Sequence, residues 1–278
     1  MYQDSLKPLK RKGKSPAPGV LIPIFPGTNG ENELTKQFRK AGANVATYTF
    51  NIPTLNAENI KNNYEEFAGY LDRADILAIP SGMSAGAEPD GSAKLIALIL
   101  RQPVAKEAVN NLIDRKGLIL GLGEGFKALL KAGLIQNGKI TDEEKGDIIL
   151  AKYPLNQYHS TLKNVIIGKT NSPWLNGMSA MKETVPISGQ DGVVHMSQAL
   201  YNDYLSNGQV AAQYVNHEPP FGIEALVSEN GQILGRTGLV ERIEKGLYTN
   251  VVNAKTSRIF KNAVDYCSVK KYIKNDVS

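Results

Sequence analysis

Short apolar runs alternate with longer segments of helical periodicity through the first half of the chain. Residues 20–25, 44–50, 75–79 and 117–122 are apolar runs of strand length and predict buried strands. Between them, residues 32–41 and 57–73 place apolar positions at helical spacing. Residues 93–100 and 104–115 predict two further helices separated by Pro103, and residues 126–132 predict a helix directly after the fourth strand. Strands that alternate with helices predict an α/β fold: a mostly parallel sheet flanked by helices on both faces. Ligands on such sheets bind outside the carboxyl ends of the strands. The loops at 26–31, 81–92 and 121–125 all leave carboxyl ends, so they are expected to converge on one site.

The second half changes character. Residues 147–153, 164–168, 185–188, 210–214, 222–228 and 233–237 are short strand-like runs, and Glu229-Asn230-Gly231-Gln232 supplies a tight turn between the last two. This half predicts an antiparallel extension that returns the loop at 237–242 to the site. A last helix is expected at 254–266. Residues 1–18, ending in Ser15-Pro16-Ala17-Pro18, read as a basic flexible tail, and residues 19–278 read as a single domain.

Composition narrows the function classes. A chain of 278 residues with 42% hydrophobic and 21% charged residues matches a globular domain with a substantial core. No apolar run approaches the roughly 20 residues of a membrane span, and no apolar signal core follows Met1-Tyr2-Gln3-Asp4. The expectation is a cytoplasmic protein without a membrane partner. One cysteine, Cys267, excludes an intrachain disulfide and reads as a bystander far in sequence from every site loop. His159, His195 and His217 are widely spaced and form no metal motif. His195 reads as structural, with a place at the rim of the site as the alternative. The net charge of +5 is mostly local. Lys7, Lys10, Arg11, Lys12 and Lys14 against Asp4 leave about +4 in the first eighteen residues. That tail and the basic stretch at 266–274 read as solvated segments rather than nucleic-acid contacts, because the tail has few aromatic residues for base stacking. No phosphate-binding loop or dinucleotide fingerprint is present, and no cofactor is implied.

The chemistry concentrates at Leu120-Gly121-Leu122-Gly123-Glu124-Gly125-Phe126, where an apolar strand ends in glycines and turns helical. This is the outline of a nucleophile elbow, the sharp turn that presents a reactive side chain above a sheet. Position 123 is the place of the nucleophile, and glycine there has no side chain for covalent chemistry. Around the elbow, Phe25-Pro26-Gly27-Thr28-Asn29-Gly30-Glu31, Pro80-Ser81-Gly82-Met83-Ser84, Glu88-Pro89-Asp90-Gly91-Ser92, Ser172-Pro173-Trp174-Leu175, Val185-Pro186-Ile187-Ser188, Gly222-Ile223-Glu224-Ala225-Leu226 and Gly235-Arg236-Thr237-Gly238-Leu239-Val240-Glu241-Arg242 occur in one order. From about residue 19 to about residue 260, these motifs resemble the glutamine amidotransferase domain at the C-terminus of phosphoribosylformylglycinamidine synthase. The resemblance implies a flavodoxin-like class I glutamine amidotransferase fold and, for an intact site, glutamine hydrolysis.

The departures from that family fall on its chemical positions. The family's nucleophilic cysteine falls on Gly123 and its base histidine on Leu239, while the acid of the same motif is kept as Glu241. A family cysteine in the first loop falls on Gly30. The histidine of its Ser-His-Gly-Glu-Gly loop falls on Gly189, and an Arg-His pair falls on Gln157 and Tyr158. Its glutamine after the elbow is Lys127, its loop acid is Ala87, and its loop phenylalanine is Met83. The resemblance therefore implies a degenerate pocket of Gly82, Met83, Ser84, Glu124, Lys127, Gln157, Tyr158 and Gly189, with no metal ligand and no catalytic residue intact. Ser84, Glu124 and Glu241 are the remaining groups able to do acid–base or nucleophilic work, and each also has a plain structural reading. The leading expectation is a non-catalytic amidotransferase-like protein that binds, scaffolds or self-assembles. The alternative is a subunit that docks on an ATP-dependent synthetase-type partner, with the ATP site outside this chain. A new reaction or ligand in the emptied pocket is a third reading.

Overall fold

A computed structural model describes residues 17–50, 57–82, 93–141, 147–152, 158–189, 191–216, 221–244, 246–251 and 255–275. The first half alternates as expected: β1 (Gly19–Ile24), α1 (Glu31–Ala41), β2 (Asn44–Thr49), α2 (Ala57–Asp72), β3 (Ile76–Ile79), α3 (Lys94–Leu100), α4 (Pro103–Asp114), β4 (Leu118–Leu122) and α5 (Glu124–Lys131). The second half adds α6 (Leu134–Asn137), β5 (Ile149–Lys152), β6 (His159–Ile167), β7 (Lys182–Gly189), β8 (Asp191–His195), α7 (Gln198–Ser206), β9 (Val210–Tyr214), β10 (Ile223–Val227), β11 (Ile233–Arg236) and α8 (Ile259–Asn275). Nine strands form one sheet in the order β2-β1-β3-β4-β11-β10-β9-β6-β7, and β5 pairs β8 in a separate ribbon. From β2 to β11 every neighbour is parallel; from β11 to β7 every neighbour is antiparallel. The tail at 1–16 lies outside the described residues.

Period two along the parallel strands divides their side chains between two cores. Leu21, Leu77, Ile79, Ile119 and Ile233 face one side, where they meet Phe67 and Leu71 of α2, Val109 and Leu112 of α4, and Phe126 and Leu129 of α5. Val20, Ile22, Ile76, Ala78, Leu118, Leu120 and Leu234 face the other, against Leu34 and Phe38 of α1 and Phe260 and Val264 of α8. Strands covered on both faces read as continuous apolar runs, so the first four were legible. Cys267 is buried on α8 in the second core.

The antiparallel half departs from the sequence reading. β6 begins at His159 rather than at 164, and β7 begins at Lys182 rather than at 185. Their outer residues are largely exposed, so the pairing of β6 with β7 carries no apolar alternation to reveal it. α7 was not anticipated; Ser197 caps it by accepting the Leu200 N–H at 3.2 Å, and Tyr201 stacks on Phe221 at 4.2 Å between centroids. α8 starts at Ile259 and runs to Asn275, so the basic 266–274 stretch continues the helix rather than following it.

Candidate functional site

The elbow joins β4 to α5 at the centre of the sheet, next to β11. Its backbone is fixed by close approach. A β-carbon on Gly125 would run into the Ile79 carbonyl, and one on Gly235 would run into the Phe126 ring. α5 therefore lies directly on β3 and β11, as only glycine allows. Between β4 and α5, Gly123 turns with φ +52° and ψ −109° and donates its N–H to the Arg236 carbonyl at 2.8 Å. This conformation is rarely adopted by residues with side chains, and a nucleophile elbow imposes it.

The missing side chain of Gly123 points at two residues. A β-carbon there would stand 3.1 Å from Leu239 Cδ2 and 3.3 Å from Ser81 Cβ. Leu239 is buried, and its N–H donates to the Pro186 carbonyl of β7 at 2.8 Å. The segment leading to it is anchored by a buried ion triad. Arg236 and Glu224 are both fully buried and meet at 2.9 Å, and Arg236 also meets Glu183 at 2.9 Å. Burial alone would lower the Arg236 pKa, but the two carboxylates outweigh it and hold the guanidinium above its ordinary value. Glu224 then accepts the Gly238 N–H at 2.9 Å, and Ser257 donates to Glu183 at 2.7 Å. The triad thus fixes the backbone next to Leu239.

One 3₁₀ turn later lies Glu241, 1% exposed. Its Oε1 accepts from Ser81 Oγ at 3.0 Å and lies 3.8 Å from Arg242 Nε; among the described residues its Oε2 has no hydrogen-bond partner. Desolvation pushes this carboxyl up to about 7, against the lowering effects of its own backbone N–H, of Arg242 and of Ser81. Gln37 of α1 donates to the Glu241 backbone carbonyl at 3.0 Å. Ser81 also sits 2.7 Å from the Asn29 carbonyl, and Asn29 N–H donates to the Ser81 carbonyl at 2.9 Å. Gly30 closes the cluster: a β-carbon on it would stand 2.6 Å from Ser81 Oγ and 3.2 Å from Glu241 Oε1. The space a family cysteine would take at position 30 is occupied by the serine and the acid.

The structure brings Gly123, Leu239, Glu241 and Gly82 together at the ends of β3, β4 and β11. Glu124 opens α5 beside them, and Lys127, one turn further, is buried. Tyr158 and Gly189 lie at one end of the β6–β7 pair; Gly189 pairs His159, and the exposed Tyr158 hydroxyl lies 2.6 Å from Ser188 Oγ. Met83, Ser84, Ala87 and Gln157 lie outside the described residues. His195 is exposed on β8, opposite Ile149. Ser81 and Gln37 were not singled out from the sequence. The signal for Ser81 was a hydroxyl placed between the end of β3 and Gly82; for Gln37 it was an amide among the apolar positions of α1. Among the described residues, no group of three or more His, Cys, Asp or Glu side chains is placed to hold a metal ion, and no helix is long and apolar enough to cross a membrane.

Comparison with known proteins places this geometry. The model of the CobB/CobQ-like glutamine amidotransferase domain matches residues 17–267. A phosphoribosylformylglycinamidine synthase subunit PurQ from Ruegeria sp. is 24% identical over 226 residues, covering 80% of this chain and 87% of that protein. The PurQ of Gloeobacter violaceus is 25% identical over 173 residues, 62% of this chain and 67% of that one. A chain in the structure of PurLQS from Thermotoga maritima aligns with a TM-score of 0.64 at 17% identity, covering 90% of this chain and 99% of that one. The glutaminase domain of Trypanosoma brucei CTPS with bound acivicin aligns at 0.53 and 10% identity, covering 91% and 94%. The architecture is that of the class I glutamine amidotransferases.

Proposed function

We propose that this chain, which belongs to the CobB/CobQ-like glutamine amidotransferase domain family, is an amidotransferase-like protein without glutaminase chemistry, and that it works by binding or scaffolding. The observation that carries the reading is the meeting of Gly123 with Leu239. The elbow keeps its turn, yet its reactive position holds a hydrogen and faces a methyl group 3.1 Å from where a β-carbon would sit. We assign Gly123 to the nucleophile position, Leu239 to the base position and Glu241 to the retained acid. Gly82, Met83, Ser84, Glu124, Lys127, Gln157, Tyr158 and Gly189 then form a degenerate pocket, within one domain that spans 19–278.

Amide hydrolysis by this mechanism needs a thiolate, a base to take its proton and donors for the oxyanion. Backbone donors do not depend on side chains, but position 123 has no thiol and position 239 has no base. Loss of such groups in hydrolases costs on the order of 10⁴–10⁶-fold in rate. The unpartnered Oε2 of Glu241 supports the same reading: an acid that would orient an imidazole has no imidazole to orient. A non-glycine residue at such an elbow carries about 1–3 kcal/mol of backbone strain, which glycine relieves once no nucleophile is required.

The names of the PurQ relatives, each a subunit of a synthase, favour a protein partner over an isolated role. In that reading the chain docks on a synthetase-type partner that carries the ATP chemistry, and no cofactor binds here. The deciding experiment measures glutamate release from glutamine by the purified chain, alone and with a candidate synthetase, alongside labelling by a glutamine-mimicking thiol alkylator. No release above a heat-killed control and no label at the elbow are expected. Sustained release by the chain alone refutes the proposal; labelling confined to Cys267 leaves the elbow unlabelled, as expected.

A further inference from the structure

A groove of about 990 Å³ opens at the amino end of β4, the opposite end from the elbow, between the turn at 170–177 and α8. Its size is that of a small-molecule site. Buried polar bonds join its walls. Ser172 Oγ donates to the Gly231 carbonyl at 2.6 Å, and Trp174 Nε1 donates to the Gln232 carbonyl at 2.9 Å. Gln232 Nε2 in turn donates to the Ile113 and Gly117 carbonyls at 2.9 and 2.8 Å, on either side of Lys116. From α8, Asn262 Nδ2 donates to the Trp174 and Asn176 carbonyls, both at 3.0 Å. Ser172, Trp174 and Gln232 are buried. One connected set of bonds therefore holds the Lys116 turn, the 172–176 turn and α8 against one another, and the groove keeps its shape without an occupant.

The charge inside it is positive. Lys116 and Arg258 both line the groove, and among the described residues neither is in an ion pair. The nearby acids are committed elsewhere: Asp265, the acid of the lining, pairs with Lys261, and Asp114 pairs with Lys139 at 2.8 Å. Lys116 stands at φ +62°, directly after α4, where glycine is the usual residue. A lysine there bears backbone strain, and such strain clusters at ligand sites. Across the groove, a β-carbon on Gly177 would meet only Arg258 Nη2, at 3.9 Å, so the guanidinium stands over open backbone. Thr170 Oγ1 accepts the Ser172 N–H at 3.1 Å, which leaves its hydroxyl hydrogen to donate. Asn171 and Asn176 add side-chain amides to the lining.

The geometry points to a binding site for a small organic oxyanion, a phosphate ester or a polycarboxylate, held by Arg258 and Lys116 at its charged group and by Thr170, Asn171 and Asn176 along its polar body. A guanidinium matches an oxyanion with paired N–H donors, and an ammonium adds a point charge. The site lies at the far end of the sheet from Gly123 and stands whether or not the chain hydrolyses glutamine.

Titration of the full chain with inorganic phosphate and with citrate, at constant ionic strength, tests it by amide chemical shifts and calorimetry. At least one of them is expected to saturate with a Kd of about 1 mM or tighter, with shifts centred on Lys116, Asn171, Gly177 and Arg258. Tighter phosphate binding identifies a phosphate ester as the ligand class, and tighter citrate binding a polycarboxylate. Arg258→Gln and Lys116→Gly are each expected to weaken binding about tenfold. Lys116→Gly puts glycine where the backbone favours it, so the fold is kept while the cation is lost. No saturation by either anion below about 20 mM overturns the site. So do shifts spread over surface lysines at large, unchanged affinity in both variants, or binding of a short oligonucleotide where neither small anion binds.

Discussion

Gly123→Ala is the smallest perturbation that reads the elbow. The added methyl would stand 3.1 Å from Leu239 Cδ2 and 3.3 Å from Ser81 Cβ, tighter than ordinary van der Waals contact. Leu239 Cδ2 is the end of a flexible side chain and can yield by a few tenths of an ångström, so the contact itself costs little. The backbone costs more. At φ +52° and ψ −109° a β-carbon is strained, and such conformations cost about 1–3 kcal/mol. For a domain of this size each kcal/mol moves Tm by about 2–4 °C, so a fall of about 2–12 °C is expected by calorimetry or circular dichroism. The contact is separated from the strain by a double-mutant cycle with Leu239→Ala. In that background Gly123→Ala should cost less, by about 0.5 kcal/mol or more, because the methyl no longer meets Cδ2. A Gly123→Ala protein as stable as the wild type would falsify the strained turn, and strict additivity would remove Leu239 from the position facing the elbow.

The remaining predictions concern the groups around it. Arg236→Met strands Glu224 as a buried carboxylate and Glu183 as a part-buried one and should cost about 3–5 kcal/mol; adding Glu224→Met and Glu183→Met should recover much of that loss in denaturant titrations. Glu241 has a folded pKa raised from 4.5 to about 7, so its contribution to stability is fully present below pH 4.5 and is lost as pH rises through 7. At about 1.4 kcal/mol per pKa unit, Glu241→Gln should gain up to about 3 kcal/mol on the wild type at pH 8 and nothing near pH 4, and a gain independent of pH would contradict the burial of a neutral acid. Gly123→Cys alone should acylate poorly, since a thiol without a base keeps a pKa near roughly 8.5, whereas Gly123→Cys with Leu239→His should give a burst with activated esters; equal bursts would show that position 239 is not the base position.

How much of this was legible depended on what each residue touches. β1 to β4 are apolar on both faces, and the helices between them keep a clear period, so the parallel half and the elbow could be read from the pattern. β6 was read short because residues such as Ser160, Thr161 and Lys163 are exposed, and pairing between exposed residues leaves no apolar trace. The end of α8 was missed because its last turns are rich in lysine, the composition of a tail as much as of a helix. At the site, Gly123, Leu239 and Glu241 were found by their place in motifs, and the fold brings them together. Ser81 was passed over because its role depends on Gly30 leaving room for its hydroxyl and on Glu241 arriving from 160 residues away. No local spacing encodes such a contact.

The division of the sheet into two cores has a consequence for the elbow. Phe126 and Leu129, which seat the elbow helix, belong to the core under α2 and α4, whereas Val240, beside Leu239, belongs to the core under α1 and α8. Gly123 thus sits between the two layers, since Leu122 before it packs under α1 and α8 and Phe126 after it packs under α2 and α4, and Leu239 meets it at the carboxyl ends of the strands. Their spacing works as a gauge of how those layers register. A volume change deep in either layer, far from both residues, would move that spacing, and changes made in opposite layers would add in energy while competing in position. The fit at the elbow is therefore a property of the whole stack, open to adjustment from either side without touching a residue of the site.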